Sequence, residues 1–463
     1  MLKVNRSFIR GLFLAVVFCV SFYFRITGLG TDSFNGIEAF HVSAPLFSDF
    51  TLHGGPLSQI AIHVWKQIVP ESEFWLRLLS IIFGMGTILL AYPAARCFLP
   101  PSASVVCVLL TGLSGTHIQI SRTFSPDSIV CFLSVLYILC MIRFIKNVSC
   151  GILKVLFMAI SIVLASSSSA GMIYLLITGC SVYAASRLYR EVSFRFWLWY
   201  AFPAYIVGIL IYIPAAILMR NPAVPLVSME YPLIPLLSAL CKPLFSAPLA
   251  LALWLGLTIC GLSGIFILKY SGRMVLFTIR SFAILIISFS LLILSLIPEY
   301  KSAIFSLSAT PFVLFPGFCL LSGACVPLNK QKIQIIMALL LLTANIITIY
   351  TRPHQLPYRQ LAEWIRPNLS AGDALFCFED EAEYCLKAYG ISCPNSVFMH
   401  RIPPPHHVGT ILINNHGSLW VAASSRYSAA DILDEFSPYY NLNESFIRSA
   451  SGAFLCCHRF DLP

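Results

Sequence analysis

The chain has 463 residues, of which 58% are hydrophobic and 11% are charged, and its formal net charge is +10. Soluble globular proteins carry about a quarter charged residues, so this composition excludes a water-soluble fold for the first three quarters of the chain. The basic residues there lie in short loops between apolar runs, where they set orientation and contact anionic lipid. We therefore do not expect nucleic-acid binding.

Eleven apolar runs are candidate membrane spans, because a helix needs about 20 apolar residues to cross a bilayer. The first run is predicted to stay in the membrane as a helix, since bulky residues follow it and a small-residue signal-peptide cleavage site is lacking. In chain order the runs cover residues 9–24, 78–98, 103–120, 128–145, 151–165, 171–186, 196–219, 246–268, 282–297, 303–326 and 333–350.

The charged residues separate by side when the N-terminus is placed in the cytoplasm. That side then holds fifteen basic residues and one acid, Glu191, whereas the opposite side before residue 353 holds eight basic residues and eight acids. This asymmetry satisfies the positive-inside rule. Because the number of spans is odd, we predict a multi-pass protein of the plasma (inner) membrane whose N-terminus is cytoplasmic and whose C-terminal domain is extracytoplasmic.

Two predicted outer loops are long, at residues 25–77 and 220–245. Apolar residues recur at helical spacing after Pro56 in the first loop, which predicts an amphipathic helix lying in the membrane interface, packing on the outer domain, or both. These residues are Ile60, Ala61, Val64, Trp65 and Ile68. The second loop is rich in proline and leucine and is predicted to be an interfacial flap.

A transmembrane body at residues 1–352 is followed at residues 353–463 by the pattern of a small α/β domain. Eleven of the 20 acidic residues lie in this last quarter. Gly390 is the predicted stop of a helix. Helices are predicted at 358–368, 379–389 and 428–436, strands at 374–378, 410–413 and 419–423, and a hairpin around Ser451–Gly452. The predicted fold class is a polytopic α-helical membrane protein with about eleven transmembrane helices and a small extracytoplasmic α/β domain.

Acids at the outer membrane edge are the first candidates for chemistry, because a membrane enzyme must keep charged groups at the edge or in a wet cavity. Glu38 lies in Asn35-Gly36-Ile37-Glu38-Ala39-Phe40-His41, shortly after the first span, and Asp127 lies at the mouth of the fourth span. Glu38 is a functional acid or a solvated loop acid. Asp127 serves catalysis, caps the fourth helix, or does both.

Short motifs around these acids occur in an order and on a side of the membrane that are typical of one family. They are Ile37-Glu38-Ala39, His53-Gly54-Gly55-Pro56-Leu57, Phe74-Trp75-Leu76-Arg77-Leu78-Leu79-Ser80, and Arg122 through Asp127. With them the chain resembles the C-type (GT-C) glycosyltransferases that use polyprenyl-phosphate sugars, in the branch of the protein O-mannosyltransferases and lipid A aminoarabinose transferases. The strongest local match covers residues 73–84.

The resemblance implies transfer of a hexosyl or pentosyl group from a polyprenyl phosphate to a lipid, glycan or protein acceptor, with inversion at the anomeric carbon. A carboxylate would deprotonate or orient the acceptor hydroxyl, and cations would bind the donor phosphate. Glu38 is then the base or acceptor-positioning group, with Asp127 as its partner. Arg122 and Lys301 are the candidate phosphate contacts, and for each the alternative is an anchor at the lipid headgroups.

The first acidic motif departs from the family pattern. The family usually has Asp-Glu there and the Asp is commonly assigned as the base, whereas Ile37 precedes Glu38 in this chain. Either Glu38 has taken the base role, or Asp32 or Asp127 has, or activity is lost. His53, in an altered His-Pro-Pro-Leu element, is with Asp32 a loop candidate for contacting the acceptor.

Two other functions stay open at this point. A catalytically degenerate GT-C scaffold or lipid-binding subunit would explain Ile37, whereas a transporter or flippase is disfavoured because no acid lies deep in any predicted span. A divalent cation is left open as a cofactor, although the C-terminal histidines fit no zinc spacing and no metal site is predicted. Most cysteines lie in apolar runs as small hydrophobes, and a Cys385–Cys393 disulfide is left open.

Overall fold

A computed structural model of the chain forms two compact units. The first comprises Met1–Thr27, Leu46–Val69 and Arg77–Thr351, and the second comprises Gly28–Pro45, Pro70–Leu76 and Arg352–Pro463. The structure describes residues 6–30, 33–34, 36–43, 56–97, 99–146, 151–167, 175, 203, 206–207, 210, 319, 322, 357–370, 373–377, 380–391, 397–398, 418–423, 441–450 and 453–461.

The described part of the first unit is helical. It holds α1 (Arg6–Ile26), α3 (Pro56–Ile68), most of α4 (Glu73–Ala95), α5 (Pro101–Leu113), α6 (Gly115–Arg122), α7 (Asp127–Lys146) and α8 (Gly151–Ser167). Helix α1 packs against α5 and α6, and α8 packs against α3 and α7. The runs predicted as the first, second, fourth and fifth spans are therefore confirmed as helices, while those from residue 171 onward lie almost wholly outside the described residues.

The run predicted as one third span is wrong as a single helix. It is broken at Ser114, whose ψ of 127° is extended, into α5 and α6. The Ser114 hydroxyl accepts a hydrogen bond from the backbone N–H of His117, 3.4 Å away, so the serine caps the new helix. Apolar run length alone does not reveal such a break, because the break depends on the backbone conformation of one residue.

Helix α4 is the one helix of the described ranges that is long and apolar enough to cross a bilayer. Three shorter apolar segments accompany it, at Pro101–Leu113, Asp127–Met141 and Val155–Ser166. The total of eleven spans stays a prediction.

Large apolar side chains face outward along one side of α1. Phe8, Leu12 and Val16 follow one another at four-residue spacing and are 67%, 59% and 53% exposed. Water would make such a stripe unfavourable, and contiguous apolar patches of this kind mark surfaces covered by lipid or protein. This exposed face fits a helix in contact with lipid.

The predicted amphipathic helix after Pro56 is confirmed as α3. Its residues Ile60, Val64 and Ile68 are exposed, whereas Ile62 is buried. Helix α3 also packs on α8, and its exposed stripe is available to the membrane interface, as one of the two sequence interpretations requires.

In its described residues, the second unit combines a five-stranded sheet with three short helices. The strands are β1 (Ala374–Cys377), β2 (Val397–Phe398), β3 (Leu419–Ala423), β4 (Asn441–Ala450) and β5 (Ala453–Asp461), in the order β2-β1-β3-β5-β4. Strand β1 is parallel to β2 and β3, and β5 is antiparallel to β3 and β4. The helices are α2 (Gly36–Ser43), α9 (Tyr358–Ile365) and α10 (Asp380–Ala388).

Most predicted elements of the C-terminal segment are confirmed by these strands and helices, including the hairpin, which joins β4 and β5. Gly390 has φ of 76°, and the amides of Gly390 and Ile391 donate to the carbonyls of Lys387 and Leu386. This pattern is a Schellman motif, which ends α10 where the sequence predicted. Cys385 is buried. The strand predicted at 410–413, the helix at 428–436 and Cys393 lie outside the described residues.

Candidate functional site

Glu38 lies in the first turn of α2 and is fully buried. A solvated loop acid, which was one interpretation of the sequence, is therefore wrong. The helix forms because Ala39, Phe40 and Val42 are apolar and pack into the core of the second unit, against α10. A carboxylate at the N-terminal turn is also favoured by the helix dipole.

The contact between α2 and α10 is aromatic at its centre. The rings of Phe40 and Tyr384 meet edge to face, with centroids 5.2 Å apart, which is a favourable arrangement for aromatic pairs. His41 is also buried. Glutamate side chains are rarely fully buried in proteins. Glu38 is thus the strongest catalytic candidate of the second unit.

A second buried acid of this unit, Glu73, begins α4. Its Oε1 accepts hydrogen bonds from Arg359 Nε at 2.9 Å and from the Tyr389 hydroxyl at 3.0 Å, and Glu73 also forms a salt bridge with Arg359 Nη2. The hydrogen bond to Glu73 raises the pKa of Arg359. Burial raises the pKa of Tyr389, and the Glu73 charge adds to the effect. Tyr389 is therefore a neutral donor.

Asp127 belongs to the first unit and is the first residue of α7. The hydroxyl of Ser125 donates to its Oδ2 at 3.1 Å. An acid in this position favours the start of a helix through the dipole, so the structural role that the sequence allowed is present. A carboxylate with one protein donor on Oδ2 can still accept further hydrogen bonds from a ligand.

Arg122, also of the first unit, ends α6 and contacts the end of α1. Its Nη1 donates to the carbonyl of Phe24 at 3.0 Å and to that of Thr27 at 2.8 Å. The last carbonyls of a helix lack intrahelical partners, and a cation there interacts favourably with the dipole. Arg122 therefore caps α1, which is an alternative that the sequence did not suggest.

Arg25 and His117 form a buried polar pair in the same unit. Arg25 is fully buried, and its Nη1 donates to the carbonyls of Ser21 and Gly112, at 2.9 Å each. Its Nη2 lies 2.7 Å from His117 Nδ1. In the sequence Arg25 is only one of the basic residues of the predicted outer side, and this pairing was not predicted, since the partners lie 92 residues apart.

The remaining candidates are not within the described residues. These are Asp32, His53 and Lys301. Of the named acids, Glu38 belongs to the second unit and Asp127 to the first. Within the described ranges, no cluster of three His, Cys, Asp or Glu side chains could hold a metal ion.

Sequence reasoning did not single out Arg359 and Tyr389. The one feature of the sequence that pointed toward this contact is Glu73, because it is the first residue of the segment that most resembles the family. Its partners could not be found from spacing, because they lie 286 and 316 residues further along the chain.

The chain is similar to one protein-family model and to several solved structures. The family model for dolichyl-phosphate-mannose-protein mannosyltransferases matches residues 24–225, which include Glu38, Arg122 and Asp127. The sequence matches no curated protein.

Solved structures of two enzymes align with nearly the whole chain. The oligosaccharyltransferase AglB of Archaeoglobus fulgidus, solved with an inhibitory peptide and a dolichol-phosphate, is 13% identical over 97% of this chain and 74% of its own, with a TM-score of 0.55. A structure of the same enzyme tethered to an acceptor peptide is 12% identical over the same shares, also with a TM-score of 0.55. ArnT of Cupriavidus metallidurans, bound to undecaprenyl phosphate, is 12% identical over 98% of both chains, with a TM-score of 0.48.

Proposed function

We propose that the chain is a membrane glycosyltransferase of the GT-C class, which moves a sugar from a polyprenyl-phosphate donor to a lipid, glycan or protein acceptor. The observation that carries this proposal is the complete burial of Glu38 on α2, within the part of the chain that matches the family model. Few acids precede the last quarter of the chain. The carboxylate of Glu38, which is one of them, lies inside a folded unit and not in solvent.

Glu38 is proposed as the base or the acceptor-positioning group. An acceptor hydroxyl is a poor nucleophile, so a carboxylate that takes its proton, or orients it, lowers the barrier. The acceptor oxygen then forms a bond to the anomeric carbon as the bond to the phosphate oxygen breaks, with inversion. Asp127 is the proposed partner acid, and Asp32 and His53 are proposed acceptor contacts.

Cations are proposed to bind the departing lipid phosphate. The leaving group needs no proton, but its charge is stabilised by a guanidinium or an ammonium group. Arg122 and Lys301 are proposed for this role. AglB, which shares the fold, has been solved with a dolichol-phosphate, and this supports a polyprenyl phosphate as the donor lipid.

The membrane arrangement is proposed as the charge pattern predicts. Eleven spans within residues 1–352 leave the N-terminus in the cytoplasm and residues 353–463 outside the plasma (inner) membrane. Glu38 and Asp127 then lie on the outer side, where a lipid-linked donor presents its sugar.

Sugar transfer by the purified protein tests the proposal. The donors are radiolabelled dolichyl-phosphate mannose and undecaprenyl-phosphate aminoarabinose in nanodiscs, with membrane lipid and protein extracts as acceptors. Wild type should transfer label from one donor. Glu38→Gln keeps the size of the side chain but removes the base, so transfer should fall by about 100-fold or more, and Asp127→Asn should also lower it.

Glu71→Gln is the matched control, because Glu71 is an exposed acid on the same predicted side. It should retain wild-type transfer. Full activity of both Glu38→Gln and Asp127→Asn would contradict the assigned roles, and absence of transfer from either donor by wild type would contradict the reaction.

A catalytically degenerate scaffold or lipid-binding subunit is the second proposed function. It is favoured by Ile37, which stands where the family usually has an acid. It predicts saturable binding of undecaprenyl phosphate without turnover. Placing the acid there with Ile37→Asp should then create transfer, whereas in an active enzyme that uses Glu38 it should not be needed.

A further inference from the structure

The hydroxyl of Tyr389 connects three separate segments of the second unit. Tyr389 is the residue that follows α10, and its oxygen accepts a hydrogen bond from the backbone N–H of Phe34 at 2.8 Å. The same hydroxyl donates to Glu73 Oε1 at 3.0 Å. It therefore bridges the segment that precedes α2 and the first residue of α4.

Phe34 is held against Tyr389 and Cys385 by two further contacts. Its ring stacks on the ring of Tyr389, with centroids 5.4 Å apart and planes 29° apart. The Cys385 thiol donates to the Phe34 carbonyl at 3.4 Å. Cys385 and Tyr389 are four residues apart and lie on one face of the end of α10. The side chains of this face therefore form hydrogen bonds with both the N–H and the C=O of Phe34.

Arg359 forms similar hydrogen bonds with Ser33 and Gly30, which precede Phe34 in the chain. Its backbone N–H donates to the Ser33 hydroxyl at 3.2 Å, and its Nη2 donates to the Gly30 carbonyl at 3.1 Å. Because the same guanidinium is paired with Glu73, the side chain links Gly30 to the start of α4. The segment that leads into α2 is thus fixed at residues 30, 33 and 34 by the C-terminal part of the chain.

The contacts to Gly30, Ser33 and Phe34 affect the position of Glu38, because helix α2 has only eight residues. Isolated helices shorter than about 12 residues are marginal in water, so their form and place depend on packing. Glu38 follows Phe34 by four residues, and its helix rests on α10, the helix that Tyr389 ends. The position of the carboxylate is therefore set by the network around Tyr389.

We propose that Tyr389 is a positioning residue for Glu38, and that the C-terminal domain is a structural part of the active site and not an appended module. The inference rests on the proposed function of Glu38. Tyr389 does not touch the reacting atoms in this role, but its two hydrogen bonds hold the acid-bearing segment in place. A displacement of about 1 Å of a reacting group costs up to about 100-fold in rate.

Tyr389→Phe tests the proposal, because it removes the hydroxyl and retains the ring that stacks on Phe34. Hydrogen exchange of the full-length protein in nanodiscs should show faster exchange of residues 28–45. In the transfer assay, kcat per folded molecule should fall about 10- to 100-fold while the KM for the donor stays within about twofold. The matched control is Tyr23→Phe, since the Tyr23 ring is 61% exposed on α1, and it should change neither measurement.

The outcomes separate this inference from the proposed function. Unchanged exchange of residues 28–45 in Tyr389→Phe overturns the inference, whether or not the protein is an enzyme. Unchanged kcat with faster exchange also overturns it, because the segment would then be loosened without moving the acid. If wild type transfers no sugar, the proposed function fails, and the exchange experiment still decides whether Tyr389 holds the segment.

Discussion

Arg25 Nη2 and His117 Nδ1 lie 2.7 Å apart inside the first unit, and this contact determines the state of the histidine. A guanidinium nitrogen carries only donors, so Nδ1 must be the unprotonated acceptor. His117 is therefore neutral, with its proton on Nε2, and it gives the buried arginine a partner that bears no charge.

Loss of this acceptor is expected to destabilise the protein. His117→Leu would leave a buried guanidinium N–H without its ring partner, at a cost of about 1–3 kcal/mol. His117→Asn retains an acceptor oxygen close to the position of Nδ1 and should lose less. Thermal unfolding of both variants in detergent measures the difference, and equal losses would show that the hydrogen bond to Nδ1 contributes little.

Close helix packing at Gly84 gives a second prediction. A Cβ at this position of α4 would lie 2.2 Å from Ser121 Oγ and 2.6 Å from Ser121 Cβ, so Gly84→Ala should destabilise by about 1–3 kcal/mol through overpacking. Gly11→Ala is the control, since nothing lies within 4 Å of the added carbon there. Adding Ser121→Gly should restore the melting temperature of Gly84→Ala, and failure to do so would point to another cause.

Asp373 should make the stability of the second unit dependent on pH. Burial alone would raise the pKa of Asp373, but hydrogen bonds from Ser370, Trp420 and Ser418 outweigh it and lower the pKa below the usual value. The stabilisation is therefore fully present above the unfolded-state pKa of about 3.9 and is lost as pH falls through the lower folded-state pKa.

Removing this charge gives the corresponding mutational test. Asp373→Asn replaces an oxygen by a donor that faces donors at 2.7–2.9 Å, and should cost about 1–3 kcal/mol at pH 7. Glu363→Gln is the control, because Glu363 is an exposed acid of α9. Thermal unfolding between pH 3 and pH 7 measures both. A stability of Asp373→Asn that still rises with pH like that of wild type would contradict the role of Asp373.

Arg122 caps α1 and is proposed to bind the donor phosphate. These two roles can be tested separately by measuring thermal stability and lipid binding. Arg122→Gln should lower the melting temperature without any lipid, because the end of α1 loses a charged donor to its carbonyls. If Arg122 also binds the donor phosphate, undecaprenyl phosphate should stabilise this variant less than it stabilises wild type. Arg143→Gln, at an exposed position of α7, should behave like wild type in both measurements. Equal stabilisation of Arg122→Gln and wild type by the lipid would leave only the capping role.

Reporter fusions test the proposed orientation. Alkaline phosphatase fused after residue 353 should be active, because that position is predicted to be outside the membrane and the enzyme requires export. The same reporter fused after Arg273, in a predicted cytoplasmic loop, should be inactive. The reverse pattern would contradict an extracytoplasmic C-terminal domain.

Helices and strands of the described residues were largely predictable from local pattern. The apolar runs that became α1, α4, α7 and α8 were recognisable because lipid-facing and core-facing positions are both apolar. Alternation and turn residues in the last quarter located β1, β3 and the β4–β5 hairpin. The break at Ser114 was missed, although Gly112 and Gly115 flank it and the residues after it are more polar than those of α5.

The candidate site was predictable only as a set of scarce outer acids. Composition and order along the chain pointed to Glu38 and Asp127, and the resemblance assigned them a chemistry. The burial of Glu38 was not predictable, because it depends on α2 packing against α10, more than 300 residues away. The role of Arg122 as a cap was hidden for the same reason, since the carbonyls it contacts belong to another helix.

The amino-acid sequence by itself determined the membrane character, the change to an α/β pattern near residue 353, and the identity of the few acids available for chemistry. These properties follow from local hydropathy and charge. Only the tertiary structure decided that residues 28–45 and 70–76 belong to one compact unit with the C-terminal segment, and that Tyr389 joins Phe34 to Glu73. Hydrogen bonds between residues hundreds of positions apart have no local signature, because backbone and hydroxyl groups of many residues could form them equally well.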